Sequence, residues 1–171
     1  IYHYPMQEVK GNIETIYSDN SNSLWIISHN SKGNTLWKLD KSQDKFMAIK
    51  LGGWLPSPMN SILQTKDGKM WLGTNNSGIV LLHDNYNVEH MTVSASGHCQ
   101  HLHAMFELSA NQLLMACDDG LWLFNTLTHD YQLYHTTRFA NTIASDREGG
   151  LWVGTAYNGV GYYSPIAHRS R

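Results

Sequence analysis

Residues Asp67-Gly68-Lys69-Met70-Trp71-Leu72-Gly73-Thr74 decide the fold of this chain, because the phrase returns. It comes back as Glu148-Gly149-Gly150-Leu151-Trp152-Val153-Gly154-Thr155, and more weakly as Asn22-Ser23-Leu24-Trp25-Ile26-Ile27-Ser28. Each copy is a turn followed by a short apolar strand that opens on a Trp. Asp-Gly between alternating apolar residues is the strongest short-range hairpin signal. A turn-and-strand phrase that recurs at a steady spacing marks a repeat architecture.

The copies align beyond the tryptophans. Nine positions before each Trp stands an isoleucine: Ile16, Ile62 and Ile143. A degenerate fourth copy has Met105 nine positions before Leu114, with Asn111 where the turn glycine would stand. The anchors 25, 71, 114 and 152 lie 46, 43 and 38 residues apart. That band suits the four-stranded blade of a β-propeller and not the shorter, helical ankyrin or tetratricopeptide units.

One unit reads as strands throughout. Ser61 to Thr65, Met70 to Thr74, Ile79 to His83 and Val88 to Val93 are short apolar runs, separated by Lys66-Asp67-Gly68-Lys69, Asn75-Asn76-Ser77-Gly78 and Asp84-Asn85-Tyr86-Asn87. The most helix-like stretch, His101 to Met115, is expected to be two strands around Ser109-Ala110-Asn111-Gln112, because it aligns with the other copies. The whole of 1–171 is therefore expected to be one all-β propeller segment of about four four-stranded blades. An outer strand spans 1–5, blades span about 11–51, 58–93 and 101–135, and an incomplete three-stranded blade spans 141–165. Closure as a small ring by pairing strand 1–5 with the last blade, or an arc of a larger ring that associates through open edges, are both consistent with this count.

Composition limits the partners. The net charge is −2 and no basic stripe is present, which argues against nucleic acid and anionic membrane. No apolar run approaches the length needed to cross a bilayer, so no membrane contact by this segment is expected. Ile1 opens in mid-pattern with no signal peptide, which reads as an unnatural start. The two cysteines, Cys99 and Cys117, allow one disulfide without requiring it.

The aligned pattern, strongest over Ile62 to Ile79 and Ile143 to Val160, resembles the two-component regulator propeller repeat. Ile16 to Leu36 matches it in part, and Met105 to Leu121 departs most, with Ala116-Cys117 in place of Gly-Thr. The resemblance implies the extracytoplasmic, periplasmic sensor region of a hybrid two-component histidine kinase. There, two seven-bladed propellers precede an immunoglobulin-like domain, a membrane helix and the kinase. Gly154 to Pro165 is similar to the end of the first such propeller. By that resemblance this chain is a fragment of a seven-bladed ring, its partners are the remaining blades and domains of the sensor, and the kinase chemistry lies outside it.

The repeated residues read as architecture. Trp25, Trp71 and Trp152 share one blade position, which suits a ring wedged between sheets better than a sugar platform. Gly73-Thr74 and Gly154-Thr155 read as close approach and strand termination. Function is expected in the strand 2–3 loops (28–34, 75–77, 118–119, 156–158) and blade-to-blade loops (52–60, 94–101, 136–141), which share one end of the blades.

Trp54 in Gly52-Gly53-Trp54-Leu55-Pro56 lies outside the repeated positions, so it reads either as a stacking surface for carbohydrate or as local packing. Tyr157, Asn158, Asp118, Asp119 and Arg138 are the other candidate ligand contacts, against the plainer reading of solvated turn residues. His98-Cys99-Gln100-His101-Leu102-His103 resembles a metal cluster, but a second ligand motif is lacking, so no metal and no cofactor are expected.

Neither a nucleophile elbow nor a phosphate loop nor a zinc-protease motif is present, so no catalytic residues are assigned. The function that the resemblance implies is ligand sensing, with an oligosaccharide as the expected ligand. The alternatives are a purely structural module, which packs domains or forms a homodimer, and, less favoured, a propeller lyase or glycosidase.

Overall fold

The computed structural model describes residues 9–53, 55, 58–91, 99 and 101–164. Expectations for strand 1–5, Trp54, His98 and residues 92–93 and 165 lie outside them. The described residues form only strands and turns, and the chain divides into two compact units, Ile1–Met91 and Thr92–Arg171.

The first unit holds two antiparallel sheets, each ordered as the chain runs. Blade 1 is β1 (Asn12–Ser18), β2 (Leu24–Asn30), β3 (Gly33–Asp40) and β4 (Lys45–Ile49). Blade 2 is β5 (Met59–Gln64), β6 (Met70–Thr74), β7 (Ile79–Leu82) and β8 (Val88–His90). In the second unit, blade 3 is β9 (Leu102–Ser109), β10 (Gln112–Cys117), β11 (Gly120–Asn125) and β12 (Tyr131–His135). Blade 4 has three strands, β13 (Ala140–Ser145), β14 (Leu151–Thr155) and β15 (Val160–Tyr163). The helix-like stretch from His101 to Met115 thus folds into β9 and β10.

Register explains why the sequence copies align. Ile16 pairs with Ile26, Ile62 with Leu72, Met105 with Met115 and Ile143 with Val153. In every blade the residue nine before the anchor faces the residue just after it. The position three before the anchor is equally constant: Asn22, Gly68, Asn111 and Gly149 all have positive φ, between 57° and 90°. Gly adopts that left-handed backbone freely and Asn more readily than most side chains, which accounts for their alternation there.

Thr74 and Thr155 end their strands in the same way. Each hydroxyl donates to a glycine carbonyl four residues on, Gly78 or Gly159, and accepts an N–H from the turn, Ser77 or Asn158. Gly154 leaves no room for a Cβ, which would lie 2.5 Å from the Thr142 methyl.

Each unit buries its own core. In the first, Trp25, Ile27 and Leu36 of blade 1 pack with Ile62, Leu72, Val80 and Leu82 of blade 2. In the second, Leu114, Ala116 and Leu121 of blade 3 pack with Leu151 and Val153 of blade 4.

Two expectations need adjustment. The strand 2–3 connection of blade 1 is only residues 31–32, because Ser28 to Asn30 already pair with Gly33 to Thr35. The tryptophans also differ: Trp25 and Trp71 are 3% and 1% exposed, as a wedge requires, but Trp152 is 45% exposed. Its sheet face, shared with Tyr162, is uncovered among the described residues, and Ile16 is 64% exposed where its counterpart Ile62 is buried.

Candidate ligand-binding face

In the second unit, the turn after β10, the link before β13 and the turn after β14 meet at one end of blades 3 and 4. Phe139 joins them. Its N–H donates to the Asp118 carbonyl at 2.8 Å, and its carbonyl accepts the Ala156 N–H at 3.0 Å. This holds Phe139 at φ 55°, a left-handed backbone that costs a bulky residue energy and persists only when neighbours enforce it. Its ring meets the Tyr157 ring edge-on, with centroids 5.1 Å apart. Tyr157 is 78% and Phe139 39% exposed, so the pair offers aromatic surface to solvent.

Asp118 lies beside them as a double acceptor. His101 Nδ1 and His103 Nε2 each sit 2.8 Å from one of its carboxylate oxygens. Burial raises the Asp118 pKa, but hydrogen bonds from His103 and His101 outweigh this and hold the carboxyl below its ordinary value. Asp119 turns elsewhere, its Oδ2 accepting the Cys99 N–H at 3.1 Å. The adjacent carboxylates therefore diverge and are not a catalytic pair.

A disulfide joins Cys99 to Cys117, with Cα atoms 5.2 Å apart. It ties the link between blades to the end of β10, one residue before Asp118. Cys117 occupies the position that Thr74 and Thr155 hold in blades 2 and 4. Among the described residues, no group of three His, Cys, Asp or Glu is arranged to hold a metal.

The predicted residues thus separate. The structure brings Asp118 and Tyr157 to one face, with Asp119 anchoring its edge. Arg138 is exposed, precedes Phe139 in the chain and makes no ion pair among the described residues. Asn158 is a turn residue whose N–H is taken by Thr155 Oγ1 at 2.9 Å. Trp54 lies outside the described residues, although its neighbours Leu55 and Pro58 line a cavity of about 300 Å³ in the first unit with Leu51, Met59, Lys32 and Asn34.

Phe139 escaped the sequence reading because an aromatic residue in a link gives no signal until its backbone is seen. Asp19 and Asp146 escaped it too, yet did leave a trace. Each stands six residues before a Trp and accepts its indole N–H, at 2.9 and 3.1 Å, and Thr65 serves Trp71 likewise at 3.3 Å.

Residues 53–76 match the family model described as two component regulator propeller. The chain carries a two-component regulator propeller repeat. No curated protein matches the chain. Among solved structures, this propeller segment is similar to the extracellular domain of a B. thetaiotaomicron hybrid two component system, with a TM-score of 0.75 and 19% identity over 97% of this chain and 23% of that one. A one component system's extracellular domain from the same organism gives 0.70 and 21%, over 95% and 22%. A gluconolactonase from Xanthomonas campestris gives 0.67 and 14%, over 91% and 59%. At such identities the likeness establishes the β-propeller fold, which sensors and an enzyme share. The segment spans less than a quarter of the two larger extracellular domains.

Proposed function

We propose that this segment is a ligand-sensing part of the extracytoplasmic region of a hybrid two-component sensor, that it recognises an oligosaccharide, and that a kinase outside this chain reads the result. The observation that carries the reading is the Phe139–Tyr157 pair: exposed, edge-on, and fixed by a strained backbone next to Asp118. Aromatic faces pack against the C–H faces of sugars, while a carboxylate and imidazoles meet the hydroxyls at the edge. Three further facts support it. The repeat type matches, similar structures are extracellular sensor domains, and a disulfide suits an oxidising compartment.

A calorimetric titration of the complete sensor region with an oligosaccharide panel tests this. We expect one glycan to bind and Tyr157→Ala to weaken it about tenfold or more, given the usual worth of a well-packed aromatic contact. Equal affinity in the variant would remove the face from consideration. The exposed Trp152, Val160 and Tyr162 favour a second reading, a module that docks on another domain or copy, and absence of heat with every glycan would favour that one.

A further inference from the structure

Several asparagine side chains in the turns of this chain are tied down. The side-chain oxygens of Asn30, Asn85 and Asn125 each accept a backbone N–H from two residues on, as in an Asx turn. Asn20 and Asn34 donate their amides to the Thr65 and Met59 carbonyls, and Asn60 donates to Asn75. Asn158, in the turn after β14, differs. Thr155 Oγ1 holds its backbone N–H, but its carboxamide has no partner among the described residues.

Asn158 is also the one asparagine in the chain that is followed by glycine. Both residues are exposed. The Gly159 N–H donates to no group among the described residues, and a Cβ built on Gly159 would meet nothing within 4 Å. A bare amide nitrogen with no side chain beside it therefore adjoins a free carboxamide.

The two Asp-Gly steps lack this combination. Asp67 Oδ1 accepts the Thr65 hydroxyl and the Lys69 N–H. Asp119 Oδ2 accepts the Cys99 N–H, and a Cβ on Gly120 would lie 2.8 Å from the His135 carbonyl oxygen. Both are also carboxylates, whose carbon is a poorer electrophile than that of an amide.

We infer that Asn158 is a site of spontaneous modification by deamidation. The Gly159 nitrogen loses its proton to base and attacks the side-chain carbonyl carbon of Asn158. The bond to the amide nitrogen breaks and ammonia leaves, which closes a five-membered imide. Water then adds to one of the two imide carbonyls and opens the ring. Opening on one side gives aspartate, and on the other isoaspartate, in which the main chain runs through the side-chain carbon. Either product replaces a neutral amide with a carboxylate, and water is the sole co-reactant. The isoaspartate also lengthens the backbone between Thr155 and Gly159, which disturbs the two bonds that Thr155 makes to the Gly159 carbonyl. The new charge stands one residue from Tyr157. Its effect on a ligand rests on the function proposed above, whereas the reaction itself does not.

The test is to hold the whole folded chain at physiological temperature and mildly alkaline pH for several weeks, and then to map its tryptic fragments by mass. Fragment 148–169 contains Asn158 as its only asparagine, and fragment 139–147 contains Asn141 as an internal control. Fragment 148–169 is expected to gain one dalton and to split into two products, about tenfold or more faster than the control, because no side chain shields the Gly159 nitrogen. One product should accept a methyl group from an isoaspartyl methyltransferase. The rate should fall at mildly acid pH, where the amide nitrogen is not deprotonated, and Asn158→Gln should abolish both products, since its ring would need six members. An unchanged fragment, a rate no higher than that of the control, or reaction only in urea-unfolded protein would each overturn the inference. No ligand enters any of these measurements, so their failure leaves the reading of Tyr157 where it stands.

Discussion

Blade 2 and blade 3 have the same four strands in the same order, and their first two strands share the register around the anchor, yet they differ in chemistry at their repeated positions. Blade 2 keeps the Trp, the Gly-Thr and a four-residue turn from Asn75 to Gly78. Blade 3 has Leu114 for the Trp, Ala116-Cys117 for the Gly-Thr and only Asp118-Asp119 before Gly120. Both still pair the residue nine before the anchor with the one after it. The alternation of apolar side chains therefore sets the sheet, and the signature residues are dispensable to it. Freed from the signature, blade 3 uses the same positions for a disulfide and for the carboxylate that two histidines share.

The sharpest way to break this comparison is to remove the signature where it is buried. Trp71→Ala should cost about 3–5 kcal/mol, as for other large core truncations, whereas Trp152→Ala should cost only about 1 kcal/mol, the worth of an exposed aromatic pair. Urea denaturation of the two variants measures this. Equal losses would mean that Trp152 is as structural as Trp71 despite its exposure.

Next in size is the disulfide that stands where blade 2 has a hydroxyl. Replacing Cys99 and Cys117 together by serine should lower stability by about 3 kcal/mol, as expected for a closed loop of this length. The same loss should follow reduction of the wild type. If reduction leaves the urea midpoint unmoved, blade 3 holds without its tie and the comparison with Thr74 is empty.

The smallest effect is acidic. Asp19 in blade 1 and Asp118 in blade 3 both have lowered pKa values, burial opposing and hydrogen bonds prevailing. A carboxyl depressed by folding stabilises fully above its unfolded value, near 3.9, and that contribution is lost as pH falls through the folded value. Stability should thus decline below about pH 4, and less steeply in Asp118→Asn than in the wild type. A denaturation series across that range would expose an equal slope in the variant, which would deny Asp118 its role.

Much of the fold was legible because a propeller blade writes its register into sequence. Ile62, the left-handed Gly68 and Trp71 occupy fixed offsets, and Asn111 in blade 3 could be placed by them although its Trp is gone. The site was legible only in part. Asp118 and Tyr157 stood out as loop residues, but nothing in sequence tells that Phe139 is strained, or that Asp118 faces His101 and His103 while Asp119 turns to Cys99. Such facts depend on which turns meet across two blades, and spacing along one chain does not encode it. The environment of Trp152 was hidden for the same reason, since a repeat position specifies what a residue can cover and not whether a neighbour arrives.

The bond between Cys99 and Cys117 also sets a condition on when the face of the second unit is complete. It fastens the chain segment that reaches His101 to the strand end that presents Asp118. A polypeptide still in a reducing compartment lacks that fastening. The pairing of β9 with β10 already sets His103 beside Asp118, so the bond adds its constraint at the approach to His101, two residues from Cys99. Protein prepared under reducing conditions would keep that strand pairing and lose only the second tie.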